Sequence, residues 1–329
     1  CLVFVAVSGY LTSRQVPQTR AVDPELTINW NAWKETWQIV QYAREERSVF
    51  LSILGISWFW FFGTAMTLQI PAYTLDILMG NEAISVVLLV AFAVGVGIGS
   101  LLCERMSGRR IELGLVPFGS IGLSLFAIDL YFAQPVPAAA AAADVATFLQ
   151  RPGSWNILAD LALLGAFGAF YSVPLYALIQ RNSNPEHLSR IIAANNIINA
   201  IFMVVASLLS IAVLGAGFSI PELFIVLALL NAVVAVYIYT LLPEFLMRFL
   251  VWILIHTIYR VRVSGMENIP QEGPVIVASN HVSYVDPLIL GGMIRRPVQN
   301  PVAALPDGQG GVEARQTQHR SIPTEQGII

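Results

Sequence analysis

Six stretches of the sequence are each about as long and as apolar as a helix that crosses a lipid bilayer. A hydrocarbon core of about 30 Å needs about 20 apolar residues in a helix. Apolar residues make up 56% of the 329 residues and charged residues only 12%, so a soluble fold would have no core for many of them. This excludes a nucleic-acid-binding protein, a disordered chain and an ordinary soluble enzyme. The predicted spans cover residues 49–69, 84–102, 113–132, 157–179, 192–214 and 223–242.

The charged residues predict how these spans are oriented. Residues 1–12 are apolar but shorter than a span, and we interpret them as the end of a truncated crossing. Residues 13–48 are polar and are predicted to be a cytoplasmic linker, helical over 33–44. Thirteen lysines and arginines lie in this linker and in every second connection after it, whereas the other loops contain one, Arg151. Cytoplasmic loops carry such an excess, so we expect a multi-pass protein with a cytoplasmic C-terminal part.

Small and polar residues within the spans point to helix packing or to a transport path. Glycines let helix backbones approach closely in lipid, which predicts close packing at Gly95, Gly97, Gly99, Gly165 and Gly168. Polar side chains in a membrane face other helices or an aqueous cavity, and both interpretations stay open here. The possible transport path consists of Gln69, Asn195, Asn196 and Asn199, and the same two interpretations apply to Asp129 and Asn231.

The connection after the second predicted span reads Gly-Ser-Leu-Leu-Cys-Glu-Arg-Met-Ser-Gly-Arg-Arg over residues 99–110. It resembles a loop signature of the major facilitator superfamily, whose carriers work by alternating access. The resemblance implies that residues 49–242 are the second half of a twelve-span carrier, and that this loop biases the carrier between its two open states. A short basic loop produced by topology alone is the alternative. The motif positions are Gly99, Glu104, Arg105, Gly108, Arg109 and Arg110.

Beyond the last span, the pattern changes twice. Residues 243–260 are apolar and aromatic but too short to cross a membrane comfortably, and we predict a helix lying in the interface. From residue 261 onward, short apolar strands alternate with turns, as in an α/β unit, and Asp286 followed by Pro287 is typical of a helix start. Two cysteines, Cys1 and Cys103, make neither a disulfide framework nor a metal site.

His281 and Asp286 are spaced His-x4-Asp between a predicted strand and a predicted helix. A neutral imidazole can take a proton from a hydroxyl near neutral pH, and a carboxylate beside it would hold its tautomer. The pair is therefore a candidate for general-base chemistry on a substrate hydroxyl. The alternative is that Asp286 only caps the helix and His281 is a polar loop residue.

Residues 265–287 contain Asn-His-x4-Asp after Gly-Met-Glu-Asn-Ile-Pro, and they resemble the opening of the glycerolipid acyltransferase family. The resemblance implies transfer of a fatty acyl group from an acyl-carrier-protein or coenzyme A thioester to the hydroxyl of a lysophospholipid or glycerol phosphate. It makes His281 the general base and Asp286 its orienting partner. Asn280 and Ser283 are supporting motif positions, and no metal or cofactor is implied.

The order of the two parts resembles fused bacterial proteins, in which a lysophospholipid transporter precedes an acyltransferase of the 2-acylglycerophosphoethanolamine type. We therefore expect a helical inner-membrane protein with six complete spans, followed by a truncated α/β acyltransferase domain at 261–297. Its expected function is lysophospholipid translocation coupled to re-acylation in phospholipid remodelling. Two alternatives stay open: a major facilitator carrier without catalytic activity, and a carrier of another amphipathic solute.

Residues 298–329 contain no aromatic residue. We expect them to be a disordered tail or the product of an altered reading frame. The later motifs of the acyltransferase family, which hold the substrate phosphate, are missing from the sequence. We therefore expect the chain by itself to have no measurable acyltransferase activity.

Overall fold

The computed structural model of the chain describes residues 2–16, 32–107, 113–133, 144–185 and 187–241, together with 247, 249–251, 253 and 254. The chain divides into two units, Cys1–Phe249 and Leu250–Ile329, and every contact given below lies within the first unit. The helices are α1 (Leu2–Ser13), α2 (Ala32–Glu45), α3 (Arg47–Leu68), α4 (Glu82–Met106), α5 (Leu115–Phe132), α6 (Val145–Gln150), α7 (Ser154–Asn182), α8 (Leu188–Gly215) and α9 (Ile220–Leu241).

Six of these helices, α3, α4, α5, α7, α8 and α9, are long and apolar enough to cross a membrane. The prediction of six spans is therefore confirmed, and α2 matches the helix predicted over 33–44. The predicted interfacial helix at 243–260 lies largely outside the described residues, and the segments 261–297 and 298–329 lie outside them completely.

The first span is longer than predicted. After α3, a short helix at Ile70–Ala72 and a π-helix at Tyr73–Ile77 continue the apolar segment to Ile77, giving 31 residues in all. Pro71 has no backbone N–H group and interrupts the regular hydrogen-bond ladder. The chain continues past it with wider turns, in which the Leu78 N–H donates to the Tyr73 carbonyl at 3.0 Å.

Helix α7 lies at the centre of the bundle. Its most apolar segment is 67% buried, and it packs against α4, α5 and α3. Helix α8 packs against α3, and α9 packs against α5. The corresponding segments of α4 and α8 are only 22% and 17% buried, so the described bundle leaves most of their side chains exposed.

Backbone contact between α4 and α7 forms what we call the glycine seam, made by Gly95, Gly99, Ala162 and Ala166. A Cβ atom added at Gly99 would lie 2.5 Å from the Cα of Ala166, and one at Gly95 would overlap the Ala162 carbonyl oxygen. The two helices can approach this closely only because neither glycine has a side chain.

The packing prediction is also confirmed for Gly165, which faces the backbone of α4, and for Gly168, which faces the Phe59 ring with 2.7 Å to an added Cβ. It is wrong for Gly97, because a Cβ added there would meet nothing within 4 Å. Residues two apart lie on nearly opposite sides of a helix, so Gly97 points away from the seam that Gly95 and Gly99 form.

Hydrogen bonds tie helix ends together at both ends of the bundle. At the α2 end, the Asn182 amide of α7 donates to Ser48 Oγ of α3 at 3.0 Å, and Arg190 of α8 donates to the Tyr42 hydroxyl of α2 at 3.2 Å. At the opposite end, near α6, Arg151 donates to the Leu78 carbonyl at 2.7 Å. Both ends of the bundle are therefore held by side chains that reach between helices.

Candidate functional site

Asn231 of α9 is 1% exposed and makes the densest polar contact in the described bundle. Its amide nitrogen donates to the Ser120 carbonyl and to Ser124 Oγ, both at 2.9 Å. Its amide oxygen accepts from the Trp58 indole N–H at 2.9 Å. The side chain therefore joins α9 to α5 and α3, and these contacts favour the helix-packing interpretation for Asn231.

A second buried hydrogen bond joins α3 to α8. Ser57 Oγ donates to the amide oxygen of Asn199 at 2.8 Å, and Asn199 is 6% exposed. Sequence reasoning identifies Asn231 and Asn199 because an amide within a span stands out. It misses Trp58, Ser57, Ser120 and Ser124, which are common in spans and gain a role only from a partner far along the chain.

Asn195 lies one turn before Asn199 on the same side of α8. It is 3% exposed, and its amide oxygen is buried without a hydrogen-bond partner among the described residues. Its amide nitrogen donates to the Asn196 amide oxygen at 3.4 Å, and Asn196 itself is exposed. An unpartnered buried amide oxygen is costly in a membrane, so Asn195 is the residue of this group that a polar ligand would stabilise most.

Gln69, the fourth residue of the predicted path, is half-buried and caps the far end of α3. It lies twelve residues beyond Ser57, roughly 18 Å along a helix at 1.5 Å per residue. The structure therefore groups Asn195 and Asn199 on one side of α8, and it places Gln69 far from them.

Asp129 of α5 and Asp160 of α7 lie close enough for their carboxyl groups to interact, near the α6 end of the bundle. Asp160 is 3% exposed, and its Oδ2 has no hydrogen-bond partner among the described residues. Asp129 is a predicted polar position, whereas Asp160 is missed by sequence reasoning. Nothing in the sequence shows that two residues on separate spans would lie together.

The predicted carrier loop is described only in part. Gly99 belongs to the glycine seam, and Glu104 and Arg105 are exposed in the last turn of α4. Gly108, Arg109 and Arg110 lie outside the described residues. Cys103 is free and buried, and the described part of the chain has no group of three His, Cys, Asp or Glu side chains that could hold a metal ion.

The predicted catalytic residues His281 and Asp286, with Asn280 and Ser283, also lie outside the described residues. A family model described as acyltransferase matches residues 260–306, the segment that contains them. The match contains all four positions and runs past Pro297. No curated protein and no solved structure gave a significant match to the chain.

The chain therefore combines six helices able to span a membrane with a segment matching an acyltransferase domain. Such a domain implies an acyl donor and a lipid acceptor in general terms. The structure describes the contacts within the helical bundle, whereas the acyltransferase match lies in the segment that follows the bundle.

Proposed function

We propose that this chain re-acylates a lysophospholipid at the bacterial inner membrane, with the six-span bundle bringing the lipid to the enzyme's side of the membrane. The observation that carries the proposal is the acyltransferase match at 260–306, which contains Asn-His-x4-Asp and lies on the C-terminal side of six helices long and apolar enough to cross a membrane. An enzyme whose acceptor is a lipid gains from being tethered where that lipid resides.

The proposed reaction needs no nucleophile from the protein. His281 takes the proton of the lysophospholipid hydroxyl, and that oxygen attacks the carbonyl carbon of the acyl thioester. The carbon–sulfur bond then breaks, an ester bond has formed, and the imidazolium returns its proton to the leaving thiolate of coenzyme A or acyl-carrier protein. Asp286 holds the imidazole tautomer and stabilises the imidazolium between these two proton transfers.

The distribution of cations supports the proposed orientation. Apart from Arg14 beside α1, the described cations Lys34, Arg44, Arg47, Arg105, Arg181 and Arg190 lie at the α2 end of the bundle, whereas Arg151 lies at the other end. Six crossings bring the end of α9 to the side on which α3 begins. By the positive-inside rule that side is cytoplasmic, where acyl-carrier protein and coenzyme A thioesters are found.

A carrier without catalytic activity is the second candidate function. The observation that favours it is Asn195, a buried amide whose oxygen has no partner among the residues described. Bundles related to the major facilitator superfamily place such groups toward a polar substrate. A proteoliposome assay of lysophospholipid movement would support this function if Asn195→Leu abolished movement while acyl transfer was absent from the parent chain.

The proposed enzyme is tested with the full chain in phospholipid vesicles, radiolabelled lysophosphatidylethanolamine and either acyl-coenzyme A or acyl-carrier-protein thioester. The missing later motifs predict no measurable activity of the chain alone, whereas the family match at 260–306 predicts acyl transfer, and label in the diacyl product decides between them. If label appears, His281→Ala should lower the rate of its appearance at least about a hundredfold, as removal of a general base does. Asp286→Asn should lower it as well, because the amide cannot stabilise an imidazolium.

His256→Ala is the matched control, because this histidine precedes the matched segment. It should leave the rate unchanged. Turnover that survives His281→Ala would overturn the proposed role of the pair. If the parent chain forms no diacyl product with either donor, the carrier function is the one left to test.

A further inference from the structure

Helix α2 lies at the level at which the spans begin. One residue, Glu46, separates it from α3, and that residue is in an extended conformation with φ −106° and ψ 109°. The ring of Tyr42 lies 4.5 Å from the ring of His187, the residue just before α8. Because α2 contacts the first turns of two membrane-spanning helices, its depth is that of the membrane surface.

The helix is amphipathic, and its two sides have different surroundings. The side toward the bundle includes Ala43, which is fully buried, and Ile39, which packs against the core. The opposite side includes Trp37, which is 59% exposed. A large aromatic side chain that is mostly exposed, at the level of the membrane surface, is in the position that interfacial tryptophans occupy.

Basic residues lie on the same side of α2 as Trp37. Lys34, Trp37, Gln41 and Arg44 are spaced three, four and three residues apart and are all exposed, which places them on one side of the helix. We call this set the α2 stripe. The Arg44 guanidinium lies 5.1 Å from the centre of the Phe50 ring in the first turn of α3, so this charge is held beside the point where α3 enters the membrane.

We propose that the α2 stripe binds the anionic phospholipid headgroups of the membrane surface, with Trp37 inserted at the boundary between headgroups and acyl chains. Charge complementarity identifies the partner, since this end of the described bundle carries six cations, Lys34, Arg44, Arg47, Arg105, Arg181 and Arg190, against four acidic residues, Glu35, Glu45, Glu46 and Glu104, and is therefore net positive. Each basic residue near an anionic surface adds to the attraction. This inference is independent of acyl transfer.

Accessibility of α2 in vesicles tests the proposal. The full chain, with both native cysteines replaced, is labelled with bimane at Gln41→Cys on the stripe or at Thr36→Cys, which is half-buried and lies on the side of α2 that faces the bundle. The vesicles contain phosphatidylcholine alone or with phosphatidylglycerol at 7:3. Quenching by iodide reports exposure to water, and quenching by doxyl lipid reports contact with the membrane.

We expect iodide quenching at position 41 to be at least about twofold weaker with phosphatidylglycerol than without it, and doxyl quenching to rise in parallel. Quenching at position 36 should be the same in both lipids. Trp37→Ala and Arg44→Gln should each reduce the difference at position 41, and Trp37→Tyr, which keeps an interfacial aromatic ring, should retain most of it.

The same lipid-dependent change at positions 36 and 41, or quenching at 41 that is the same in the two lipids, would overturn the proposal. Helicity and thermal unfolding of each variant in detergent separate loss of membrane contact from loss of fold. Trp37 is mostly exposed, so we expect its replacement to leave both unchanged in the absence of lipid.

Discussion

The bundle is held by two kinds of contact that place opposite demands on the sequence. The glycine seam joins α4 to α7 through backbone contact at positions that have no side chain. What we call the polar seam, made by Trp58, Asn231, Ser57 and Asn199, joins α3 to α9 and α8 through side-chain hydrogen bonds. Lipid provides no hydrophobic force between helices, so association depends on one or the other. Substitutions that add atoms should therefore destabilise the glycine seam, whereas substitutions that remove a hydrogen-bonding group should destabilise the polar seam.

Gly95→Ala should have the largest effect on stability. The new methyl group would overlap the Ala162 carbonyl oxygen, so α4 and α7 must separate and lose contacts along the seam. We expect a loss of about 2–3 kcal/mol in the free energy of unfolding, typical of overpacking. Reversible unfolding in mixed micelles with increasing SDS measures it.

Gly97→Ala is the matched control, since it makes the same change two residues away where a Cβ meets nothing within 4 Å. It should cause no loss of stability. Equal destabilisation by the two substitutions would mean that a change in α4 itself, and not the contact with α7, produces the effect.

Asn231→Leu should have the next largest effect, because it removes the group that joins α9 to both α5 and α3. The Trp58 indole N–H loses its acceptor, although the free energy lost is limited because polar groups in the unfolded protein also find partners. We expect about 1–2 kcal/mol by the same unfolding measurement. Asn196→Leu at an exposed position is the comparison, and a loss as large there would argue against the polar seam.

A smaller effect is expected from the single hydrogen bond between Ser57 and Asn199. Ser57→Ala, Asn199→Ala and the double variant form a thermodynamic cycle that isolates this bond. The coupling free energy should be about 0.6 kcal/mol, the average for such bonds in a membrane. Additive effects of the two substitutions would show that the contact contributes nothing to association of α3 with α8.

The smallest effect is expected outside both seams, at the start of α6. Hydrogen bonds from the Thr147 side chain and from the Thr147 N–H, the latter at 2.9 Å, lower the pKa of Asp144 below its usual value. The stabilisation is present above the unfolded value of about 3.9 and is lost as pH falls through the lower folded value. Hydrogen exchange in α6 should therefore lose protection below about pH 4, after correction for the intrinsic exchange rate.

Asp144→Asn keeps an acceptor oxygen that does not titrate, so protection of α6 should become independent of pH in this range. This substitution should not change the unfolding of the two seams. A global change in stability at Asp144→Asn would mean that α6 contributes more to the bundle than its six residues suggest.

The sequence predicts the six spans well because length and apolar composition are local properties of each segment. It predicts α2 for a similar reason, since the helical pattern lies within fourteen residues. The prediction of close helix packing is wrong for Gly97, because alternate residues lie on nearly opposite sides of a helix and cannot all face one neighbouring helix. The extension of the first span beyond Pro71 is missed, because a proline in an apolar run normally marks an end.

Partners across the bundle could not be predicted in the same way. Ser57 and Asn199 are 142 residues apart, and neither residue carries a signal of the other. The candidate catalytic residues differ from these pairs, because the Asn-His-x4-Asp motif is a local signal in the sequence. The motif lies within the family match at 260–306. The lipid headgroup and the acyl donor are properties of a pocket formed by distant residues, and they remain proposals.

The one-residue connection at Glu46 has a mechanical consequence. The first span is 31 residues long, about 46 Å at 1.5 Å per residue, and so exceeds a hydrocarbon core of about 30 Å. A helix that is longer than the hydrocarbon core tilts more from the membrane normal in a thin bilayer than in a thick one. Because Glu46 is the single residue between the two helices, a change in the tilt of α3 displaces the end of α2 that is joined to it.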